Sequence, residues 1–495
     1  MRILIFHGYL LRGTGSNIYN ASLAAALRSL GHEVHLLCQD RTAASMPFVG
    51  RSESGGSVTV HVPNIGGLLP VYVRDRYEGF DVKLFSELSD RELDSYLEAN
   101  VAAVRAVAES AGGVDAALAN HLVMGPLVLA RAGLDSGFAV KIHGSALEYT
   151  VRPHPRFLPH AREGIAAATG VLVGSRHTAE SLWSTVADPS LPPRTRLGPP
   201  GVDVEAFARR EVDPAAELPG AGAAAEGSAW GRDQEATGAA VRWWLEGKGP
   251  RILYVGKLIV SKGVDLLLAA WPLIHAASPD ARLLIAGFGQ YQEGLERLWS
   301  AIEAADFSSV AQIAAQGRVL EGGPEGRLRL LGGFFEGAPS GYAAAAREAS
   351  GSVRFAGRLE HEEVAAIAPA ADAAVVPSTF PEAFGMVAAE VAAAGALPVC
   401  ADHSGLREVA RELAAGLPGE AAGLVSFPLD PAAPSAIADR VNAWLSLPEP
   451  VRESARSALA STVRRLWSWE RVAQGVIAAS QGALDELPEV SRTDD

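Results

Sequence analysis

Cysteine is nearly absent. Only Cys38 and Cys400 occur in 495 residues, which supplies neither a disulfide framework nor a zinc site. A reducing cytoplasm is therefore the expected compartment. Long apolar runs are missing too, and none reaches the roughly 18 residues of a membrane span. The opening Met1-Arg2-Ile3-Leu4-Ile5-Phe6 is too short for the apolar core of a signal peptide and reads as a first buried strand. Basic residues do not dominate. The net charge of −14 argues against a nucleic-acid partner, whose binding needs a basic surface. The charge is uneven, with 18 basic and 18 acidic residues in 1–200 against 25 and 39 beyond. The neutral first half leaves room for a local basic patch and, through it, a peripheral membrane contact. No fixed-period repeat occurs, and no Asp-x-Asp sits at a strand end.

What is present is length and apolar content. The 495 residues, 48% of them hydrophobic, predict two or more globular domains. Strand candidates alternate with helical spacing. In the first part they are the opening segment, Glu33–Cys38, Val58–Val62, Ala116–Ala119, Ala139–Ile142 and Val171–Val173. A second series runs through Arg251–Gly256, Leu283–Gly287, Val353–Phe355, Ala373–Val376 and Leu397–Cys400. Alternation of this kind predicts α/β domains with parallel sheets covered by helices. Pro214–Ala240, rich in Ala, Gly and Glu, reads as a low-complexity insert. Ala301–Ser350 is a second long stretch with helical patches, and Val451–Leu484 is helical by spacing, with Trp467 and Trp469 in its middle.

The most informative segment is Pro381-Glu382-Ala383-Phe384-Gly385-Met386-Val387-Ala388-Ala389-Glu390. It follows a strand and opens a helix. A helix starting near Gly385 points the amides of Phe384, Gly385, Met386 and Val387 out of its positive end, which suits a phosphate. Glu390 lies about 7 Å further along at roughly 1.5 Å per residue, and Glu382 stays in the loop. Carboxylates accept hydrogen bonds from hydroxyls. The order hydroxyls, diphosphate, hydroxyls outlines a sugar nucleotide. Lys257 and Lys262, on either side of a turn after the strand ending at Gly256, suit the same diphosphate at the strands' C-terminal edge.

Strand, Pro-Ser, Pro-Glu-Ala-Phe-Gly and Glu390 resemble the E-x7-E signature of glycosyltransferase family four, the retaining GT-B enzymes. The resemblance covers nearly the whole chain except about 210–246 and 300–350. It implies two Rossmann-like domains facing across a cleft: 1–205 for the acceptor, a flexible insert or linker at 206–249, 250–450 for the nucleotide sugar, and a helix at 451–490 crossing back to the first domain. In such enzymes a basic residue follows the first glycine, where Lys257 stands here in place of the more usual Arg, and a Lys precedes the next glycine, as Lys262 does. Gly287-Phe288-Gly289 and Gly357-Arg358-Leu359 are similar to the next landmarks, with the backbone near Arg358 and Leu359 facing the base. Ser404-Gly405-Leu406-Arg407-Glu408 also fits. Gly13-Thr14-Gly15-Ser16 lacks the third glycine of a dinucleotide fingerprint. The resemblance makes it a loop near the donor phosphate, with Gly15 in contact. His143, in Lys141-Ile142-His143-Gly144, would lie beside the transferred sugar, and Asn120-His121 is a weaker candidate. Leu197–Asp203 resembles the family's exit from the first domain.

The expected function is then a retaining, metal-independent hexosyltransferase using a UDP-linked or related donor. Its acceptor is a glycan, lipid or small molecule, and it has no cofactor and no metal. His143, Lys257, Lys262 and Glu382 form the catalytic set. Gly15, Gly256, Gly287, Arg358, Leu359, Phe384, Gly385, Met386, Val387 and Glu390 bind the donor. Two other readings share the fold: a sugar-nucleotide epimerase or hydrolase, which would consume donor without an acceptor, and a non-catalytic nucleotide- or glycan-binding subunit.

Overall fold

The computed structural model describes residues 1–12, 15–72, 79–213 and 233–490. The chain divides into two compact units. One comprises Met1–Gly201 with Trp467–Asp495, and the other Val202–Leu466.

The strands of unit 1 are β1 (Arg2–Phe6), β2 (Glu33–Leu37), β3 (Gly50–Arg51), β4 (Ser57–His61), β5 (Leu68–Val71), β6 (Asp81–Leu84), β7 (Ala116–Asn120), β8 (Phe138–Ile142), β9 (Gly170–Val173) and β10 (Thr195–Leu197). Eight of them form one sheet in the order β10-β9-β8-β7-β1-β2-β4-β3. All its pairings are parallel except β3 with β4. β7 and β8 are buried along their whole length. Burial on both faces is why their apolar residues run together instead of alternating. The chain leaves β1 through the helix Ser16–Ser29 to β2 on one side and later sets β7 on the other. The point where strand order reverses therefore lies between β1 and β7, where open α/β sheets form a crevice at their C-terminal edge. β5 and β6 make a separate parallel pair that the sequence pattern did not reveal.

Unit 2 has β11 (Arg251–Val255), β12 (Arg282–Ala286), β13 (Val353–Gly357), β14 (Ala373–Val376), β15 (Leu397–Ala401) and β16 (Ser426–Phe427). They form one parallel sheet in the order β13-β12-β11-β14-β15-β16. Its reversal lies between β11 and β14. Each unit thus carries the doubly wound topology of a Rossmann-like domain, the two-domain α/β organisation of the GT-B fold.

Two expectations need correction. Of the expected insert Pro214–Ala240, residues 214–232 lie outside the described residues. Gln234–Leu245, however, is a helix capped by Asp233. Thr237 donates to the Ala356 carbonyl (2.7 Å) and the Trp244 indole to that of Ile252 (3.1 Å), so this part covers the sheet of unit 2. Ala and Gly in its first turns hid it. The single C-terminal helix is two, Glu449–Trp467 and Trp469–Gln481, broken at Ser468. Only the second belongs to unit 1, where Ala473, Val476 and Ala479 join the core. The stretch 301–350 carries the helical patches expected of it, Phe307–Gln316, Arg329–Glu336 and Tyr342–Glu348, with turns between them.

Candidate functional site

In unit 2, β11 runs into Gly256 and Lys257. A Cβ on Gly287 would lie 2.0 Å from the Gly256 carbonyl oxygen, so the two strand ends approach too closely for any side chain at Gly287. The turn Val260–Lys262 ends at Gly263, which is left-handed at φ 67 and whose Cβ would meet the Pro377 carbonyl at 2.0 Å. That approach, with the Thr379 amide donating to the Ser261 carbonyl (2.8 Å), joins the loops after β11 and β14. It brings the Lys262 ammonium into an ion pair with Glu382.

Glu382 is held from several sides. The Ser378 hydroxyl donates to its Oε1 (2.7 Å), its amide donates to the Ser404 hydroxyl (2.9 Å), and its carbonyl accepts from the Gly405 amide (3.0 Å). A carboxylate fixed in side chain and backbone is pre-organised for whatever it contacts. Lys257, by contrast, makes no ion pair or side-chain hydrogen bond among the described residues.

The helix Met386–Ala393 starts from Gly385, and its first internal bond runs from the Ala389 amide to the Gly385 carbonyl. The amides of Met386, Val387 and Ala388 therefore have no acceptor within the helix. With the amide of the capping Gly385 the outward-pointing set runs from Gly385 to Ala388, and Phe384 precedes the helix with its side chain buried. Glu390, one turn on, is 5% exposed, and its Oε1 lies 2.9 Å from His361 Nε2. Burial opposes a charge on His361. The hydrogen bond and charge of Glu390, with Asp203 and Glu362, prevail and raise its pKa above the usual 6.5.

Arg358 and Leu359 follow β13 at the same edge. The Arg358 guanidinium pairs with Glu360 (2.9 Å) and lies over the Phe288 ring, 5.4 Å from its centroid. Leu359 packs half-buried against the core beside Ala356 and Val387.

In unit 1 the corresponding edge is a network of amides and imidazoles. The Asn120 amide nitrogen donates to the Phe6 carbonyl (3.1 Å) and to Asn20 Oδ1 (2.8 Å). Its Oδ1 is therefore an acceptor, and His143 Nε2, at 2.7 Å, must be the donor. That fixes the tautomer and leaves His143 Nδ1 with a lone pair. His7 is fixed likewise. Its Nε2 donates to the Leu10 carbonyl and Asn17 Oδ1, both at 3.0 Å, and its Nδ1 accepts from Asn20 (3.1 Å). Burial lowers the His7 pKa to about 4. Burial, then His121, Lys141 and His7, hold His143 well below 6.5. The rings of His121 and His143 lie 4.9 Å apart. His121, left-handed at φ 68, has both ring nitrogens buried without a partner among the described residues.

Gly15 caps the helix Ser16–Ser29 at φ 62, while Gly13 and Thr14 lie outside the described residues. Sequence reasoning overlooked Lys141 as a buried cation. Its ammonium donates to the Gly198 carbonyl (2.5 Å) and lies 5.5 Å from the Tyr19 ring centroid, and burial lowers its pKa to about 7. A lysine within an otherwise apolar strand was the available signal. The structure thus gathers Lys257, Lys262, Glu382, Glu390, Gly256, Gly287, Phe384, Gly385, Met386, Val387, Arg358 and Leu359 at one sheet edge of unit 2. His143 and Gly15 lie in unit 1. Among the described residues no group of three or more His, Cys, Asp or Glu is placed to hold a metal ion.

Comparison with known proteins gives three family matches. The glycosyl transferase 4-like domain matches residues 14–190, and glycosyl transferases group 1 match 249–320 and 323–460. Glycogen synthase of Mycobacterium tuberculosis is 31% identical over 195 residues, 38% of this chain and 36% of that protein. The GDP-mannose-dependent monoacylated alpha-(1-6)-phosphatidylinositol monomannoside mannosyltransferase of Corynebacterium glutamicum is 27% identical over 230 residues, 45% of this chain and 44% of that one. The chain spans well under half the length of these curated relatives. Among solved structures, sucrose-phosphate synthase from Thermosynechococcus elongatus superposes with a TM-score of 0.58 at 19% identity, covering 96% of this chain and 97% of that one. HepE from Anabaena, in complex with UDP and glucose, gives 0.56 at 14% identity over 98% and 100%. At such identities the likeness shows the fold.

Proposed function

Since the chain belongs to the group 1, family-four-like glycosyltransferases of GT-B fold, we propose that it moves a hexose from a nucleoside-diphosphate sugar to an acceptor hydroxyl with retention of configuration. The observation that carries this reading is the edge of unit 2. Outward-pointing helix amides lie between a pinned Glu382 and a buried Glu390, and Lys262 stands beside Glu382. A UDP-hexose is the donor adopted, in keeping with the UDP and glucose named for the HepE complex. The mannosyltransferase relative, named for GDP-mannose, makes a GDP-hexose the first competitor to test.

In this reading the bond between the sugar's anomeric carbon and the phosphate oxygen breaks while the acceptor oxygen bonds to that carbon on the same face. Negative charge develops on the leaving diphosphate. Lys257, Lys262 and the amides of Met386 and Val387 meet it, an electrostatic stabilisation realised as the bond breaks. The acceptor's proton passes to a phosphate oxygen. Glu382 takes sugar hydroxyls and Glu390 takes the ribose. Lys262 pairs with Glu382, and the leaving diphosphate draws Lys262 toward itself and frees Glu382 for hydroxyls.

Acceptor binding is assigned to the sheet edge of unit 1, where His143 lies beside the transferred sugar. His143 presents Nδ1 as an acceptor to a hydroxyl, and its lowered pKa makes it a weak base, which suits orientation better than proton abstraction. Charge stabilisation by fixed cations requires no metal. Among the described residues no helix is long and apolar enough to cross a membrane. A cytoplasmic enzyme, with any membrane contact peripheral and through unit 1, is the reading adopted.

Turnover of a radiolabelled donor, with NMR of the product formed from an α-linked sugar, tests the proposal. An α-linked product is expected. A β-linked product overturns retention, and donor consumed without an acceptor favours the hydrolase reading.

A further inference from the structure

We propose that His361 is the positioning residue for Glu390: protonated, it pairs with that buried carboxylate and keeps it aimed, and it makes donor affinity fall as pH rises. The inference rests on the donor reading above, in which Glu390 receives the ribose hydroxyls.

Glu390 needs such a partner. An ionised carboxylate removed from water is costly unless paired and hydrogen-bonded. Glu390 is 5% exposed and is the only titratable group in its helix, Met386–Ala393. Among the described residues the one hydrogen bond of its carboxylate is the 2.9 Å contact to His361 Nε2. That contact engages Oε1, and Oε2 remains to accept from a ribose.

His361 is built to hold the charge. It is the first residue of the helix His361–Ile367, directly after the Arg358-Leu359 turn, and its ring packs on Phe207 with centroids 5.3 Å apart. The groups that face it are acidic: Glu390 from the neighbouring helix, Asp203 from the segment entering unit 2, and Glu362 from its own helix. Glu360 and Glu363 lie next to it but are engaged in the helix cap, and Glu360 also holds Arg358. Burial and the positive end of its own helix oppose the charge. The carboxylates outweigh them, so the folded protein holds the imidazolium to higher pH than an exposed histidine would.

The coupling to donor follows. The diphosphate would sit at the start of the helix that carries Glu390, roughly 6 Å along the axis at about 1.5 Å per residue. A bound anion there favours the imidazolium. Linkage is reciprocal, so the imidazolium favours the bound anion. Donor affinity is then highest below the raised His361 pKa and declines as pH rises through it. A nucleotide sugar carries no phosphate that titrates near neutrality, so the dependence reports the protein.

Two measurements on the full chain test this. In the first, histidine ring resonances are titrated by NMR in the wild type and in Glu390→Gln, with His361→Asn identifying the signal. The His361 midpoint should lie above that of an ordinary histidine and drop in Glu390→Gln. An unmoved midpoint overturns the pair, whatever the donor. In the second, UDP-glucose and GDP-mannose are titrated calorimetrically from pH 6.5 to 8.5. Affinity for the nucleotide sugar that binds should fall about three- to tenfold in the wild type. His361→Asn, which still donates a hydrogen bond, should bind with a flat pH profile, and His361→Ala should bind weakly throughout. A wild-type-like decline in His361→Asn overturns the proposal. Absence of binding by both nucleotide sugars at every pH instead contradicts the donor reading, while the ring titration still decides the pair.

Discussion

The two sheet edges solve different problems with different chemistry. That of unit 1 is made of amides and neutral imidazoles, each satisfied by the next: Phe6 carbonyl, Asn120, Asn20, His7 and His143. That of unit 2 is made of ionisable pairs, Lys262 with Glu382 and His361 with Glu390. A neutral network of fixed tautomers presents one lone pair in one direction and changes little when a hydroxyl arrives. Paired charges can re-partition when an anion enters, and they tie affinity to pH. Orientation suits the first and charge stabilisation the second.

The largest expected effect breaks the charged edge. Lys262→Ala should lower kcat by about 10²- to 10³-fold, the scale of losing one pre-organised group facing developing charge. Steady-state turnover at saturating donor checks it, and a loss confined to KM would remove Lys262 from the transition state. Glu390→Ala should act mainly on binding, weakening the donor by about 1.5–3 kcal/mol, the scale of hydrogen bonds to a charged group. Calorimetry reads this directly.

The two edges should also respond to pH with opposite sign. His7 has its pKa lowered from 6.5 to about 4. The unfolded chain therefore binds the proton more readily, and stability present above pH 6.5 is lost as pH falls toward 4. The amount is about 3 kcal/mol for that group. The raised pKa of His361 works the other way, its contribution full below pH 6.5 and lost as pH rises through the folded value. Hydrogen exchange should show β1 and β7 losing protection on acidification, whereas the helix His361–Ile367 loosens on alkalinisation. Equal responses in both places would erase the contrast.

The smallest effect is expected from residues 214–232, whose replacement by a short Gly-Ser linker should leave kcat within a few-fold. Extending the deletion through Thr237 and Val241, both buried, should lower the melting temperature of unit 2.

Much of this was legible in the sequence where one local signal sufficed. β7, β11 and β15 are apolar runs that only a doubly buried strand explains. Glu382 and Glu390 are separated by seven residues of loop and helix, so their arrangement follows from helix geometry. Pairings across long separations were not legible. Asn20 meets Asn120 and His361 meets Glu390 only because parallel strands bring distant loops to one edge. The helix Gln234–Leu245 was hidden because its first turns share the Ala-Gly-Glu composition of the residues before it, and its packing face, Val241, Trp244 and Leu245, comes at the end. The break at Ser468 was invisible because helical spacing continues on both sides of it.

The most direct test is a thermal-shift panel of UDP-, GDP- and ADP-hexoses on the wild type and Glu390→Ala. If unit 2 holds a nucleotide sugar between its two glutamates, one member should stabilise the wild type by about 2.7 kcal/mol at a hundredfold excess over Kd. That gain should fall to about 0.3–1.3 kcal/mol in Glu390→Ala at the same concentration. No stabilisation by any member, or an equal gain in both proteins, would contradict the assignment of that edge.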